Sequence, residues 1–175
     1  SINYQLADLL LENDDFGDAA LEYERTAYNY ASHERAAAAG YAAIFAHREQ
    51  LKGANEEQQT ELKRATVESS LKFASTFPEH EHATVVLGAA AEDLYALDDF
   101  APAAAAARTL LERYPTADVA LRRTAWTVVA HSSFELADYT AAEPAYSEVL
   151  TLTPAEDEGR QALIDNLAAS IYKLA

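Results

Sequence analysis

The chain has 175 residues, half of them hydrophobic, a formal net charge of −16, and neither Cys nor Met. The missing Cys excludes disulfides, thiolate chemistry and a Cys-ligated metal, and five Gly and five Pro are too few for a disordered chain. The charge argues against unaided binding to nucleic acid or anionic lipid, where phosphate repulsion dominates.

Much of the hydrophobic half is Ala, which lets helices approach closely, while Val and Ile are sparse and never alternate for long. The expected fold class is therefore all-α. Nothing runs the ~20 apolar residues that a membrane span needs, so direct membrane insertion is not expected. The acid surplus reads as a solvated, self-repelling surface or as a field that draws a basic partner. Adaptation to salt is the weaker reading, because Glu outnumbers Asp. The chain starts on Ser1 and ends on Ala175 inside an apparent helix, so a piece of a longer protein is expected.

In chain order, Tyr4 to Asn13 reads as a first helix with Leu6, Leu9 and Leu10 on one face. Asp14-Asp15 turns the chain and can cap a second helix, from Phe16 to about Ser32. A third helix runs from about His33 to Leu51 with Tyr41, Ile44 and Phe45 as its bulk, and Gly53 offers a left-handed exit. A fourth spans Glu56 to Thr76 and stops before Pro78. The fifth runs from His82 to Leu97, Asp98-Asp99 turns it, and the sixth starts at Phe100 with Pro102 in its first turn. The segment Tyr114-Pro115-Thr116-Ala117-Asp118 leads into a long seventh helix, ending near Ala137. Two capping boxes follow. Thr140 with Glu143 would start the eighth helix, disturbed by Pro144 just inside it. Thr153 with Glu156 would start the ninth, with Pro154 at its first position.

Trp126, Val129, Ala130, Tyr139, Ala142, Tyr146, Val149, Leu150 and Pro154 share one spacing pattern. Leu87, Ala90, Ala91, Leu94, Phe100, Ala103, Ala107, Leu111 and Pro115 repeat it, as do Phe16, Ala19 and Tyr23 in part. This pattern resembles the tetratricopeptide repeat, W-x2-L-[GA]-x2-Y followed by Y-x2-A-x3-[FY]-x2-[AL]-L-x3-P. Ser133, Val149, Thr66 and Ser70 depart from it, and Thr26, Ala27 and Ala31 replace its later half in the first repeat. The resemblance is closest over residues 84–172 and weakest over 32–78. It implies a right-handed α-solenoid of antiparallel helix pairs, nine helices in about four and a half repeats within a single domain. The repeats would cover residues 1–32, 33–78, 79–115 and 116–154, with a half repeat at 155–175. Trp126 would be largely buried. The Arg113–Asp118 junction resembles the long repeats of bacterial cell-envelope proteins, which implies that setting.

The resemblance also implies a concave face lined by the first helix of each pair. The positions it selects are Tyr4, Asp8 and Glu12; His47, with Ala43 and Gln50; Glu92 and Tyr95, with Gly88; Thr127, His131, Phe134 and Glu135; and Asn166 and Ser170. Such a groove suits a protein or peptide with basic and apolar side chains, or it stays merely solvated. The Lys, Arg and Asn that clamp a peptide carboxylate in one subclass are not found at these positions. Alternatively the apolar face of the last helix (Leu163, Leu167, Ile171, Leu174) pairs with another chain, making the protein a spacer or oligomerisation unit. Glu79-His80-Glu81-His82 is dense in ligands, but a spacing of two does not put both imidazoles on one helical face. A solvated helix start is expected there, not a metal site. With no H-E-x-x-H, glycine-rich phosphate loop or G-x-S-x-G, neither catalysis nor a cofactor is expected.

Overall fold

Ala-rich stretches with apolar residues three and four apart form amphipathic helices, and short acidic turns separate them. The computed structural model describes residues 2–29 and 34–174. Among these, all regular structure is α-helical, and no strand occurs. The helices are α1 (Ile2–Glu12), α2 (Phe16–Tyr28), α3 (Ala36–Lys52), α4 (Glu56–Thr76), α5 (Ala83–Ala96), α6 (Phe100–Arg113), α7 (Val119–Glu135), α8 (Tyr139–Leu152) and α9 (Arg160–Leu174). The expected end of the second helix near Ser32, the start of the third at His33, and the Ala31 slot lie outside the described residues. The chain divides into two compact units, Ser1–Val86 and Leu87–Ala175.

In the first unit α1 packs on α2, α2 on α3 and α3 on α4. Small residues make the core, with Ala7, Ala19, Ala20, Ala27, Ala39, Ala43 and Ala46 surrounding Tyr23. Buried Ala7 and partly buried Leu10 and Leu11 form the inward stripe of α1, three and four apart. Leu6 and Leu9 point outward, contrary to the expectation that they share a face with Leu10. Of the three bulky residues expected to fill α3, only Ile44 is buried, while Tyr41 and Phe45 are exposed. A methyl on Gly40 would stand 3.0 Å from both the Tyr28 hydroxyl and Phe73 Cδ2, so this approach requires glycine's missing side chain. Thr66 and Ser70, which break the repeat pattern, are fully buried in α4. Their hydroxyls donate to the carbonyls of Leu62 and Thr66 one turn back, at 2.8 and 2.7 Å, which satisfies them without a partner helix.

In the second unit α6 packs on α7, α7 on α8 and α8 on α9. A methyl on Gly88 of α5 would come within 2.7 Å of Leu121 Cδ1 and 3.3 Å of Leu110 Cδ1, so Gly88 is a packing position. Ala130 and Ala142 are fully buried where α7 and α8 meet, and Tyr146 is buried beside them. Ser133 stands buried where the pattern has an aromatic, and its hydroxyl accepts from Arg108 Nη2 at 3.2 Å. Trp126 is only partly buried, short of the expectation. An indole is long enough to leave one edge in water from a position flanking a helix pair.

One turn recurs three times. Asp14, Asp98 and Ala137 have φ of 61°, 59° and 59°, the left-handed region. In each case the next amide donates to a carbonyl five residues back: Asp15 to Leu10, Asp99 to Leu94 and Asp138 to Ser133, at 2.8–2.9 Å. The left-handed residue itself donates to Leu11, Tyr95 or Phe134. These are Schellman closures that satisfy the orphan carbonyls and reverse the chain into an antiparallel partner. Of the Asp residues that open the second helices, only Asp138 makes a side-chain cap bond, to the Ala141 amide. Asp15 therefore turns the chain without capping α2 through its side chain.

Three expected helix ends are corrected. Gly53 does not use the left-handed exit, its φ being −86°. The Gln59 amide takes the carbonyls of Leu51 and Ala54, and Asn55 with Gln58 forms a reciprocal capping box for α4. The Thr140 box does not start α8, because Asp138 caps it two residues earlier and leaves Pro144 inside the helix. The Thr153 box does not start α9. The Thr153 hydroxyl turns back to the Val149 carbonyl at 2.7 Å, and α9 begins only at Arg160.

Ala137 holds the left-handed conformation with a Cβ, at a cost that glycine avoids. Ala137→Gly should therefore raise unfolding free energy by about 0.5–1 kcal/mol, net of the added unfolded-state entropy. Urea denaturation checks this, and a loss of stability would mean that the turn is not left-handed in solution.

Candidate functional site

Helix α7 carries one stripe of residues three and four apart, Arg123, Thr124, Thr127, Val128 and His131, on a single face. In the second unit that stripe forms the middle wall of an open cavity of about 610 Å³. Glu92 and Tyr95 of α5 line one side, and Ala162, Leu163 and Asn166 of α9 the other. Val149 of α8 and Thr153 just past its end close it below, and Asp157 and Gly159 of the α8–α9 loop complete the rim. Val128 and Val149 give it a buried apolar floor.

Three sets of polar contacts hold this wall. Arg160 donates from Nη1 to the carbonyls of Leu150 and Thr153, both at 2.8 Å, and so closes the C-terminus of α8. Asp157 accepts from Arg123 Nη1 at 3.2 Å through one oxygen and from the Gly159 amide at 2.9 Å through the other. The loop is thereby pinned across the cavity rim to α7.

The third set lies at the inner end, where His131 Nδ1 is 2.8 Å from the Tyr146 hydroxyl. Burial holds the His131 pKa below the usual range, and the nearby Glu135 carboxylate only partly offsets it, so the ring is neutral at pH 7. Burial first, and then Tyr95 and Glu135, pushes the Tyr146 phenol well above its ordinary value. A neutral phenol donates its proton to Nδ1, which leaves Nε2 as the imidazole's N–H donor.

Of the residues chosen from sequence, Glu92, Tyr95, Thr127 and His131 meet in this cavity. Phe134 and Glu135 stand one turn further along α7. Phe134 packs edge-to-face on Tyr139 at 5.4 Å, and Glu135 is exposed. Asn166 lines the α9 side, whereas Ser170 is buried.

The first-unit residues make other contacts. Asp8 accepts from the Tyr23 hydroxyl at 2.5 Å. Tyr4 packs edge-on against the Tyr23 ring at 5.5 Å and lies under the Arg35 guanidinium at 5.6 Å. Glu12 is exposed at the end of α1. Burial, reinforced by the Asp8 hydrogen bond, holds the Tyr23 phenol high, so it donates. His47 is only 9% exposed and faces Glu24 of α2, Nε2 to Oε1, at 3.3 Å. That contact first, then Ser69, holds the Glu24 carboxyl low against the opposing effect of burial. His47 thus joins a polar contact inside the helix layer and is not presented to an open groove, because α3 turns this face onto α2.

Arg123, Thr124, Val128, Asp157 and Gly159 were missed. The α7 residues were legible, since Arg123 lies one helical turn before Thr127. Asp157 and Gly159 were hidden by the false capping box at Thr153. The four residues Glu79–His82 precede α5, which starts at Ala83 and not at His82 as expected, and the two histidines join an aromatic cluster. The His82 ring stacks on Tyr41 at 4.3 Å, and His80 Nδ1 accepts from the His82 amide at 3.2 Å. Among the described residues no three His, Asp or Glu converge as metal ligands, and no helix is long and apolar enough to cross a membrane. No family model matches this chain, and no curated protein matches it.

Two outcomes follow from the His131–Tyr146 pair. Tyr146→Phe should lower stability by about 1–2 kcal/mol by orphaning buried Nδ1, measured by urea unfolding. For His131 the folded pKa is depressed, so the unfolded chain binds the proton more readily. Its contribution is complete above about pH 6.5 and is lost as pH falls from there toward the folded value. The stability difference between wild type and His131→Gln should therefore shrink between about pH 7.5 and 5, while the relief of negative charge acts on both alike. A pH-independent difference would contradict the buried neutral ring.

Proposed function

We propose that this chain is a non-enzymatic tetratricopeptide-repeat scaffold that holds a peptide or helix of a partner protein within a multiprotein assembly. The observation that carries this reading is the second-unit cavity. Alternate helices α5, α7 and α9 contribute its walls, and these are the first helices of their pairs in the repeat spacing. Its apolar floor and polar rim suit one anchoring side chain with hydrogen bonds around it. The recurring left-handed turn also supports a repeat origin. Chemistry is not needed to explain its polar groups, since Asp157 is engaged by Arg123 and His131 by Tyr146. The cell-envelope setting stays part of this proposal and rests on the resemblance of residues 113–118.

A second reading, a spacer or oligomerisation unit, is favoured by α9. Ile164, Ile171 and Leu174 are each more than two-fifths exposed, and Tyr172 is 80% exposed. Leu163 and Leu167, which were expected to join that face, are partly buried.

Peptides selected from a displayed random library on the purified chain should lose at least about tenfold in affinity to Ala162→Trp, which fills the cavity from an exposed position. Tyr95→Ala should weaken them by a similar factor, measured by fluorescence anisotropy. Unchanged affinity in both variants, together with concentration-dependent sedimentation abolished by Ile171→Asp, would instead make α9 the working surface.

A further inference from the structure

We infer that the cavity selects a partner segment in which an arginine neighbours an aliphatic residue, with the guanidinium between Glu92 and the Tyr95 ring. The inference rests on the cavity being the binding groove and goes further by fixing the chemistry of its occupant. Two cavity charges cancel, since Arg123 and Asp157 form an ion pair at 3.2 Å. That leaves Glu92, which is exposed and has no hydrogen-bond or ion-pair partner among the described residues. Tyr95 lies three residues on along α5, so its ring and the Glu92 carboxylate share a helix face.

The surroundings of Tyr95 reinforce the choice of a cation. Its ring packs on Phe100 at 5.5 Å and lies 6.1 Å from His131, which fixes its position in the wall. Burial first, then the Glu135 and Asp98 carboxylates, raises the phenol pKa, so the ring stays neutral within an anionic neighbourhood. A neutral aromatic face next to an unpaired carboxylate attracts a cation through both the ring quadrupole and the charge. A guanidinium satisfies both partners at once, stacking flat on the ring while its fork meets the carboxylate; an ammonium is a single point charge. The floor of Val128 and Val149 then calls for an aliphatic neighbour, because an apolar surface is best covered by an apolar side chain. An acidic occupant meets the opposite situation, with Arg123 already engaged and Glu92 repelling it.

The probes are three capped dipeptides: acetyl-leucyl-arginine amide, its neutral citrulline analogue, and acetyl-leucyl-leucine amide. Each is titrated at low salt into the isotope-labelled chain, and amide and side-chain shifts are followed by NMR. The arginine probe should shift Glu92, Tyr95 and Asn166 signals and bind about tenfold more tightly than the citrulline probe. Glu92→Gln and Tyr95→Leu should each cut that preference to about threefold or less, with the rest of the spectrum unchanged. Equal binding of arginine and citrulline, or arginine shifts that map outside the cavity, would overturn the inference. The leucine probe separates the two levels. If it binds in the cavity as well as arginine does, the selection fails and the groove stands. If no probe perturbs Thr127, His131 or Asn166, both fail together.

Discussion

Chain reversal through a single left-handed residue is the constraint on which three helix pairs, α1–α2, α5–α6 and α7–α8, depend. At Asp14, Asp98 and Ala137 the backbone takes φ near 60°, and the following amide reaches five residues back to close the first helix. With only three residues between the helices at each of these turns, the partner has one way to return, and the register of the facing side chains follows. That register is what lets alanine serve as the contact residue. Ala7 with Ala19 and Ala20 in one unit, and Ala130 with Ala142 in the other, are fully buried because the backbones approach without a large side chain between them. A core built this way contributes less transfer energy per residue than one of leucines. The buried hydroxyls of Thr66 and Ser70 and the Arg108–Ser133 contact therefore matter, since an unsatisfied group would be costly in so modest a core.

The cavity of the second unit is a consequence of the same register. Tight turns pair α5 with α6 and α7 with α8, and the cavity faces of α5, α7 and α9 carry mostly polar and medium-sized residues. The α8–α9 connection, like the α6–α7 one, lacks the left-handed residue, and it contributes to the rim. Arg160 takes over the two carbonyls that a left-handed residue satisfies elsewhere, and Arg123 ties Asp157 across to α7. Two arginines thus replace one backbone conformation. The longer loop leaves room for a side chain from outside to reach Val128 and Val149. Tyr4, Asp8 and His47 are not gathered in this way: Asp8 accepts from Tyr23, Tyr4 packs on the Tyr23 ring, and His47 Nε2 faces Glu24.

The all-helical class and most helix positions were legible, because alanine content and apolar spacing are properties of one chain segment and need no partner. The expected bounds of the fourth helix match α4, because Pro78 is a local stop signal. The errors came where two local signals compete. Thr153 and Glu156 spell a capping box, yet the Thr153 hydroxyl prefers the carbonyl one turn behind it, and an arginine seven residues on decides the helix end. Gly53 invited a left-handed exit that the Gln59 side chain made unnecessary. At the site, Glu92, Tyr95, Thr127 and His131 were found because they follow helical spacing on first helices. Asp157 was not, since its place depends on a contact to Arg123 across 34 positions, for which the sequence carries no periodic signal.

The central claim is that one face each of α5, α7 and α9 meets around a single cavity in the second unit. Because the chain has no native cysteine, a single nitroxide label at Glu92→Cys can report on it directly by paramagnetic broadening of NMR signals. Broadening should be strong at the Asn166 side-chain amide and the Leu163 methyls of α9 and at Thr127 of α7. It should be weak at Ser147 and Thr151, which are exposed on α8. Broadening of Ser147 and Thr151 that equals or exceeds that of Asn166 would show that α9 does not face α5, and the cavity would not exist in solution.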